Sequence, residues 1–253
     1  MAVDRQAVLD AFNAELQPER FKDYGPNGLQ VEGRREIGTL VSGVTASRAL
    51  IDAAIAAGAD AIFVHHGLFW RGQDGTVTGW MKQRLQRLLT HDINLFAYHL
   101  PLDAHPTLGN NAQLGARLGL AATGCFGEQE LGFIGERADG GAFADAASLA
   151  AHLQAVLKRP VVGVGSAPGA IKKIAWCSGG AQGYFEAAIA AGAQAFITGE
   201  ISEPQAHLAR ECGVLFYAGG HHATERYGAP ALAAHVAAQL GIKHQFIDID
   251  NPA

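Results

Sequence analysis

Ala53-Ala54-Ile55-Ala56-Ala57-Gly58-Ala59 recurs letter for letter as Ala187-Ala188-Ile189-Ala190-Ala191-Gly192-Ala193. The flanks agree as well, with Asp52 opposite Glu186 and Ala61 opposite Ala195. A β-rich stretch precedes each copy, residues 40–44 in the first and 174–177 in the second. An apolar run follows each, Ile62-Phe63-Val64 and Phe196-Ile197. The pattern is strand, helix, strand, twice, as expected of an α/β chain built from two related halves. A helix that links parallel strands leaves their C-terminal ends at the sheet edge where ligands bind. His65-His66 falls opposite Gly199-Glu200 in this alignment, so His66 and Glu200 hold equivalent positions and the first copy carries the metal-type residues.

Working outward, Asp4 is placed to cap a helix running to about Leu16, with Val8, Leu9, Phe12 and Leu16 on its apolar face. Residues 23–28 form a turn-rich loop before a short strand near Leu29-Gln30-Val31. Strands are expected over 39–44, 61–64 and 93–98. Helices are expected over 47–57 and on the face Met81, Leu85, Leu88 and Leu89. Pro101 argues against a helix through residues 99–103, and Asn110 and Asn111 read as caps for the helix that follows. Weak patterning over 119–124 sets a boundary near 125. Beyond it come a strand over 131–136, helices over 144–157 and 204–210, a strand over 214–217, one helix over 224–240 and a strand over 245–249. The expected architecture is two interleaved, internally repeated α/β units: 1–125 plus 218–253 as a metal-site domain, and 126–217 as a second.

The chain has 253 residues and a net charge of −5, with no Lys/Arg run. A nucleic-acid groove or an anionic membrane surface is therefore not favoured, since both need concentrated positive charge. Nothing approaches the roughly 18 consecutive apolar residues of a membrane span, and the first residues lack a signal-peptide core. A cytoplasmic protein is expected. Cys125, Cys177 and Cys212 form no CxxC pair, which disfavours disulfides and a thiolate zinc site; they read as buried thiols.

Three constellations carry metal-type chemistry, each with an ordinary alternative. His65-His66 ends a β run. Adjacent strand residues point to opposite faces, so both bind one ion only if the chain bends, as Gly67 permits, whereas two ions side by side would use one imidazole each. The alternative is one buried imidazole bonded to backbone beside an exposed one. His221 and Glu225 are four apart, the spacing that brings two ligands to one helix face; alternatively Glu225 answers the helix dipole. Asp103 follows His99 by four and either ligates, orients an imidazole, or is a turn aspartate. His105 shares this loop and is ambiguous. His91, His152, His207, His235 and His244 read as surface or packing residues. No GxGxxG, Walker lysine or GxSxG occurs.

Val64-His65-His66-Gly67-Leu68-Phe69-Trp70, Tyr98-His99-Leu100-Pro101-Leu102-Asp103, Gly109-Asn110-Asn111 and Gly220-His221-His222-Ala223-Thr224-Glu225-Arg226 together resemble the Nif-three-like dinuclear metal-centre family, whose members are also called type-two GTP cyclohydrolase homologues. Thr198-Gly199-Glu200 and Asn27-Gly28-Leu29-Gln30 extend the likeness over almost the whole chain. The resemblance implies a Nif-three-like fold, a homo-hexameric ring, and two divalent ions of zinc, iron or manganese held by His65, His66, Asp103, His221 and Glu225. His99, His222 and Glu200 are implied in the surrounding pocket. It further implies a metal-dependent hydrolase, of cyclohydrolase or phosphoesterase type, acting on a nucleotide or other phosphate-bearing small molecule. No catalytic residue is assigned, and the alternative is a non-catalytic metal-binding or ligand-sensing ring.

Overall fold

The computed structural model describes residues 2–253, and the chain packs as two α/β units. The first comprises the residues up to Gly109 together with Gly228–Asp250; the second comprises Asn110–Tyr227 and Asn251–Ala253. These divisions differ from the expected 1–125 plus 218–253. Residues 110–125 belong to the second unit because strand Leu120–Phe126 pairs antiparallel with Gly132–Arg137. Residues 218–227 stay with that unit too, since strand Leu215–Ala218 runs directly into the short helix His221–Glu225.

The first unit is built on a five-stranded sheet ordered Lys243–Phe246, Thr39–Thr45, Ala61–His66, Asn94–Ala97, Gly28–Val31. The first four strands are parallel and the last is antiparallel. Alternation along Ala61–His66 sorts its side chains onto two faces. Ala61 and Phe63 join Val8, Phe12, Leu232 and Val236 under helices Arg5–Leu16 and Gly228–Leu240, whereas Ile62 and Val64 join Leu50, Ile51 and Leu88 under Arg48–Ala56 and Gly79–Thr90. Phe12 stacks on Phe63 at 4.4 Å between centroids, with Phe96 and Tyr98 within 5.9 Å. The cap expected at Asp4 is present, accepting from Gln6 N, and Ser47 caps the next helix by accepting from Leu50 N.

The second unit repeats this plan in its own six-stranded sheet. Ile174–Trp176, Ala195–Thr198 and Leu215–Ala218 are parallel, flanked by antiparallel strands. Helix Phe185–Ala190, which carries most of the second heptapeptide, crosses from the first of these strands to the second, as Arg48–Ala56 does in the first unit. Ala54 and Ala188, at the same place in the heptapeptide, are both fully buried.

Several local expectations change. Strand Ala61–His66 includes both histidines, because Thr45 pairs with His66 in the parallel ladder. Residues 100–104 are helical despite Pro101, which sits in the first turn where no backbone donor is needed. The single helix expected over 224–240 is two, His221–Glu225 and Gly228–Leu240, with Pro230 in the first turn of the second. Leu89 is exposed rather than on the packed face. Cys125 and Cys212 are exposed, and only Cys177 is buried. Among the described residues, no helix is long and apolar enough to cross a membrane.

Candidate metal centre

In the first unit the donors gather at the C-terminal tips of two parallel strands. His65 is fully buried, and its Nδ1 lies 3.2 Å from the Tyr98 carbonyl on the next strand. His66 Nδ1 shares a 3.0 Å hydrogen bond with Thr45 Oγ1. With both Nδ1 atoms engaged by the scaffold, Nε2 is the ligand atom each ring presents, the arrangement that fixes tautomer and orientation at metal sites. The two rings sit 4.5 Å apart. They converge although neighbouring strand residues start toward opposite faces. Gly67 contributes by what it lacks: a Cβ there would strike the Gln30 amide, which accepts from Leu68 N at 2.8 Å and closes the turn after His66.

Asp103 is buried on helix Leu100–Ala104, with its carboxylate 3.5 Å from His65 Nε2. Asp103 therefore faces the strand-tip histidine rather than His99, its neighbour at four residues. His99 caps the same helix, and its Nδ1 lies 2.7 Å from Asp23 Oδ1. Asp23 also accepts from Leu100 N and Asn27 Nδ2 at 2.9 Å, while Asn27 Oδ1 accepts from His99 N at 2.7 Å. Loop 23–28 thus clamps the helix start. Burial pushes the Asp23 carboxyl up, but hydrogen bonding and attraction to His99 outweigh it and hold the group below the usual carboxylate range. His65, His66 and His99 form a cluster whose ligand atoms all lie within 4.8 Å of one another.

In the second unit the donors occupy the corresponding strand end and short helix. Glu200, at the position equivalent to His66, places Oε1 2.7 Å from His221 Nδ1. Glu225, one helical turn beyond His221 and nearly fully buried, places Oε2 3.1 Å from His221 Nε2. Burial disfavours the imidazolium here, but Glu225 first and then Glu200 override it and push the His221 pKa up to about 9. Two carboxylates around one imidazole make this a cation-seeking pocket. His222 N donates to the Ala253 carbonyl at 3.1 Å.

Residues outside the expected set shape this pocket. Gly179, at φ +66°, runs so close to Glu225 that a Cβ would collide with the carboxylate. It is fixed by Thr224 Oγ1, which accepts from Gly179 N at 2.9 Å, and by Thr198 Oγ1, which donates to the Gly179 carbonyl at 3.0 Å. Asn111 is a strut rather than a cap: its Nδ2 donates to the Leu131 carbonyl at 2.8 Å and its Oδ1 accepts from Ser178 N at 2.7 Å. The residue types are visible in the sequence, Asp23 and Asn27 four apart in a turn and Gly179-Gly180 shortly after strand Ile174–Trp176, but nothing local says which side chains they meet. The remaining histidines make ordinary contacts. His152 lies 2.9 Å from the Leu118 carbonyl, His207 pairs with Glu203, His235 and His105 lie near Glu15, and His244 meets Ser42.

The donor chemistry fits a divalent ion of borderline character, for which neutral imidazole and carboxylate are the usual partners. The chain is similar to several known proteins. Relatives named GTP cyclohydrolase 1 type 2 homolog include one from Neisseria meningitidis serogroup A, 53% identical over 98% of this chain and 99% of its own length. Another, from Escherichia coli K12, is 46% identical over 95% of this chain and 96% of its own. Among solved structures, protein ybgI, described as of unknown function, matches with a TM-score of 0.95 at 44% identity, covering 99% of this chain and all of that one. A structure from Thermus thermophilus, TTHA1606, matches with a TM-score of 0.87 at 31% identity, with 99% and 100% covered. A family model described as Duf34/NIF3 (NGG1p interacting factor 3) spans residues 3–252. With that match running from end to end of both repeat units, the chain belongs to the Duf34/NIF3 family.

Proposed function

We propose that this protein is a metal-dependent hydrolase of nucleotides or other phosphorylated small molecules, in which His65, His66, Asp103, His221 and Glu225 take up two divalent ions. The observation that carries this reading is the wiring of the imidazoles. In each unit one histidine has Nδ1 engaged by its surroundings and Nε2 near a buried acid, His65 with Asp103 and His221 with Glu225. When bound, a pair of such ions supplies a water activated for attack near neutral pH and neutralises an anionic substrate. Two divalent ions outweigh the two carboxylates of that ligand set, so a locally cationic pocket would suit phosphate in an otherwise acidic chain. The relatives' name, GTP cyclohydrolase 1 type 2 homolog, supports a nucleotide over other phosphates. A homo-hexameric ring in the cytoplasm completes the proposal.

The test is purified protein loaded with zinc, iron or manganese and incubated with a panel of nucleotides and phosphoesters. Turnover that is abolished by Glu225→Ala, with the native assembly mass preserved in light scattering, is the expected result. Binding without turnover across the panel would overturn the enzyme reading and favour a metal-holding or ligand-sensing ring. Fewer than two ions per chain in elemental analysis would overturn the dinuclear one.

A further inference from the structure

We infer that the cleft beside Trp70 is a nucleobase subsite, holding the planar ring of a nucleotide whose phosphate faces the metal centre. This rests on the nucleotide reading above and concerns the part of the substrate that the metal donors leave untouched. The cleft is made by the segment that leaves the tip of strand Ala61–His66 and enters helix Gly79–Thr90. The root of that segment is pinned. Arg71 N donates to the Tyr24 carbonyl at 2.6 Å, Arg71 Nη2 donates to the Asp23 carbonyl at 2.7 Å, and Gln73 Oε1 accepts from Trp70 N at 3.1 Å. Gly25 permits so close an approach, because a Cβ there would strike the Phe69 carbonyl. Beyond the root the segment stands clear of the body, with open space where Gly72, Gly75 and Gly79 would carry a Cβ. A cleft of about 80 Å³ lies against it, several times the space that one water needs.

The lining says what would enter. Phe69, Trp70, Val77 and Met81 supply apolar surface, and Gln73 and Asp74 supply the polar groups. Apolar walls with a few polar groups suit a flat heteroaromatic ring, which stacks by its faces and is read by its edge. Among the described residues, no lysine or arginine lines the cleft, and Asp74 would repel a phosphate. The ring end of a nucleotide therefore belongs here and its anionic end at the metal centre. Trp70 joins the two places: the indole that lines the cleft meets the His99 ring edge to face at 5.0 Å and lies 6.0 Å from the His66 ring. Asp74 Oδ1 accepts from Thr76 N at 3.0 Å, which holds the carboxylate in place. A carboxylate accepts from two adjacent N–H groups at once. Guanine offers that pair on one edge, whereas adenine sets a ring acceptor beside its amine. Asp74 thus favours guanine, and Trp70 binds either base.

Equilibrium dialysis of the zinc-loaded protein against guanosine monophosphate, adenosine monophosphate and ribose 5-phosphate tests this, because the last probe has the phosphate without the base. Wild type should bind the guanine nucleotide more tightly than ribose 5-phosphate by roughly 5–150-fold, the range for stacking one base on an aromatic side chain. Trp70→Ala should remove most of that margin and leave ribose 5-phosphate binding as it was. Asp74→Ala should reduce the preference for guanine over adenine. Asp74 is on an exposed loop, so this variant decides the matter if Trp70→Ala does not fold. Equal binding of the guanine nucleotide and ribose 5-phosphate by wild type, or a margin and a guanine preference that both variants keep, would overturn the inference. Wild-type protein that binds none of the three probes would instead overturn the nucleotide reading beneath it.

Discussion

Glu200 Oε1 lies 2.7 Å from His221 Nδ1, so a carboxylate just beyond one strand holds the ring carried by helix His221–Glu225. Removing it takes away the partner of Nδ1 and leaves the imidazole less basic. Glu200→Ala is expected to weaken metal retention by roughly 10–100-fold, the usual cost of losing a partner behind a ligand. Glu200→Gln, which retains an oxygen acceptor, should lose less. Chelator competition on both variants measures this, and equal retention in Glu200→Ala and wild type would refute it.

Gly179 tests the same pocket through the backbone. An alanine there faces a left-handed φ, a penalty of roughly 1–2 kcal/mol, and its Cβ would displace the Glu225 carboxylate. Gly179→Ala should therefore lower the urea midpoint and reduce the metal content together. Gly183→Ala, in a nearby turn with open space around the missing Cβ, should do neither.

Phe12 is the centre of the aromatic stack beneath the first sheet, touching Phe63, Phe96 and Tyr98 with no surface of its own exposed. Phe12→Ala is expected to cost about 3–5 kcal/mol in equilibrium unfolding. A loss below about 1 kcal/mol would mean that the core closes over the gap.

Burial pushes the Tyr217 hydroxyl up to about 12, while its O–H donates to the Ala146 carbonyl at 2.7 Å. A group that holds its proton more tightly when folded contributes stability that is complete below its unfolded pKa near 10 and is lost as pH rises toward 12. Tyr98 is shifted in the same direction by burial and adds to the slope. Urea unfolding at pH 9 and pH 11.5 should show the decline, and Tyr217→Phe should flatten part of it. An unchanged slope in Tyr217→Phe would place the pH dependence elsewhere.

Much of the fold is legible because its signals are local. The heptapeptide, its flanking apolar runs and the caps Asp4 and Ser47 each act within a few residues of themselves. The boundaries are harder to read because they depend on strand pairing. Nothing around residues 119–124 announces that Leu120–Phe126 will pair with Gly132–Arg137. The candidate ligands are legible as residue types. Their partners are not: Asp23 reaches His99 across 76 positions, and Glu200 reaches His221 across 21. Four-residue spacing pairs His221 with Glu225, yet it misleads at His99, because Asp103 turns to His65 instead.

Ala54 and Ala188 have no accessible surface, each pressed between its helix and the sheet beneath. Both copies are held to the same letter by the same steric ceiling. At the strand tips the copies have parted, His65-His66 in one and Gly199-Glu200 in the other. At Ala54 and Ala188 identity between the halves coincides with a place that has no room for a larger side chain, whereas at the strand tips each half carries donors of its own.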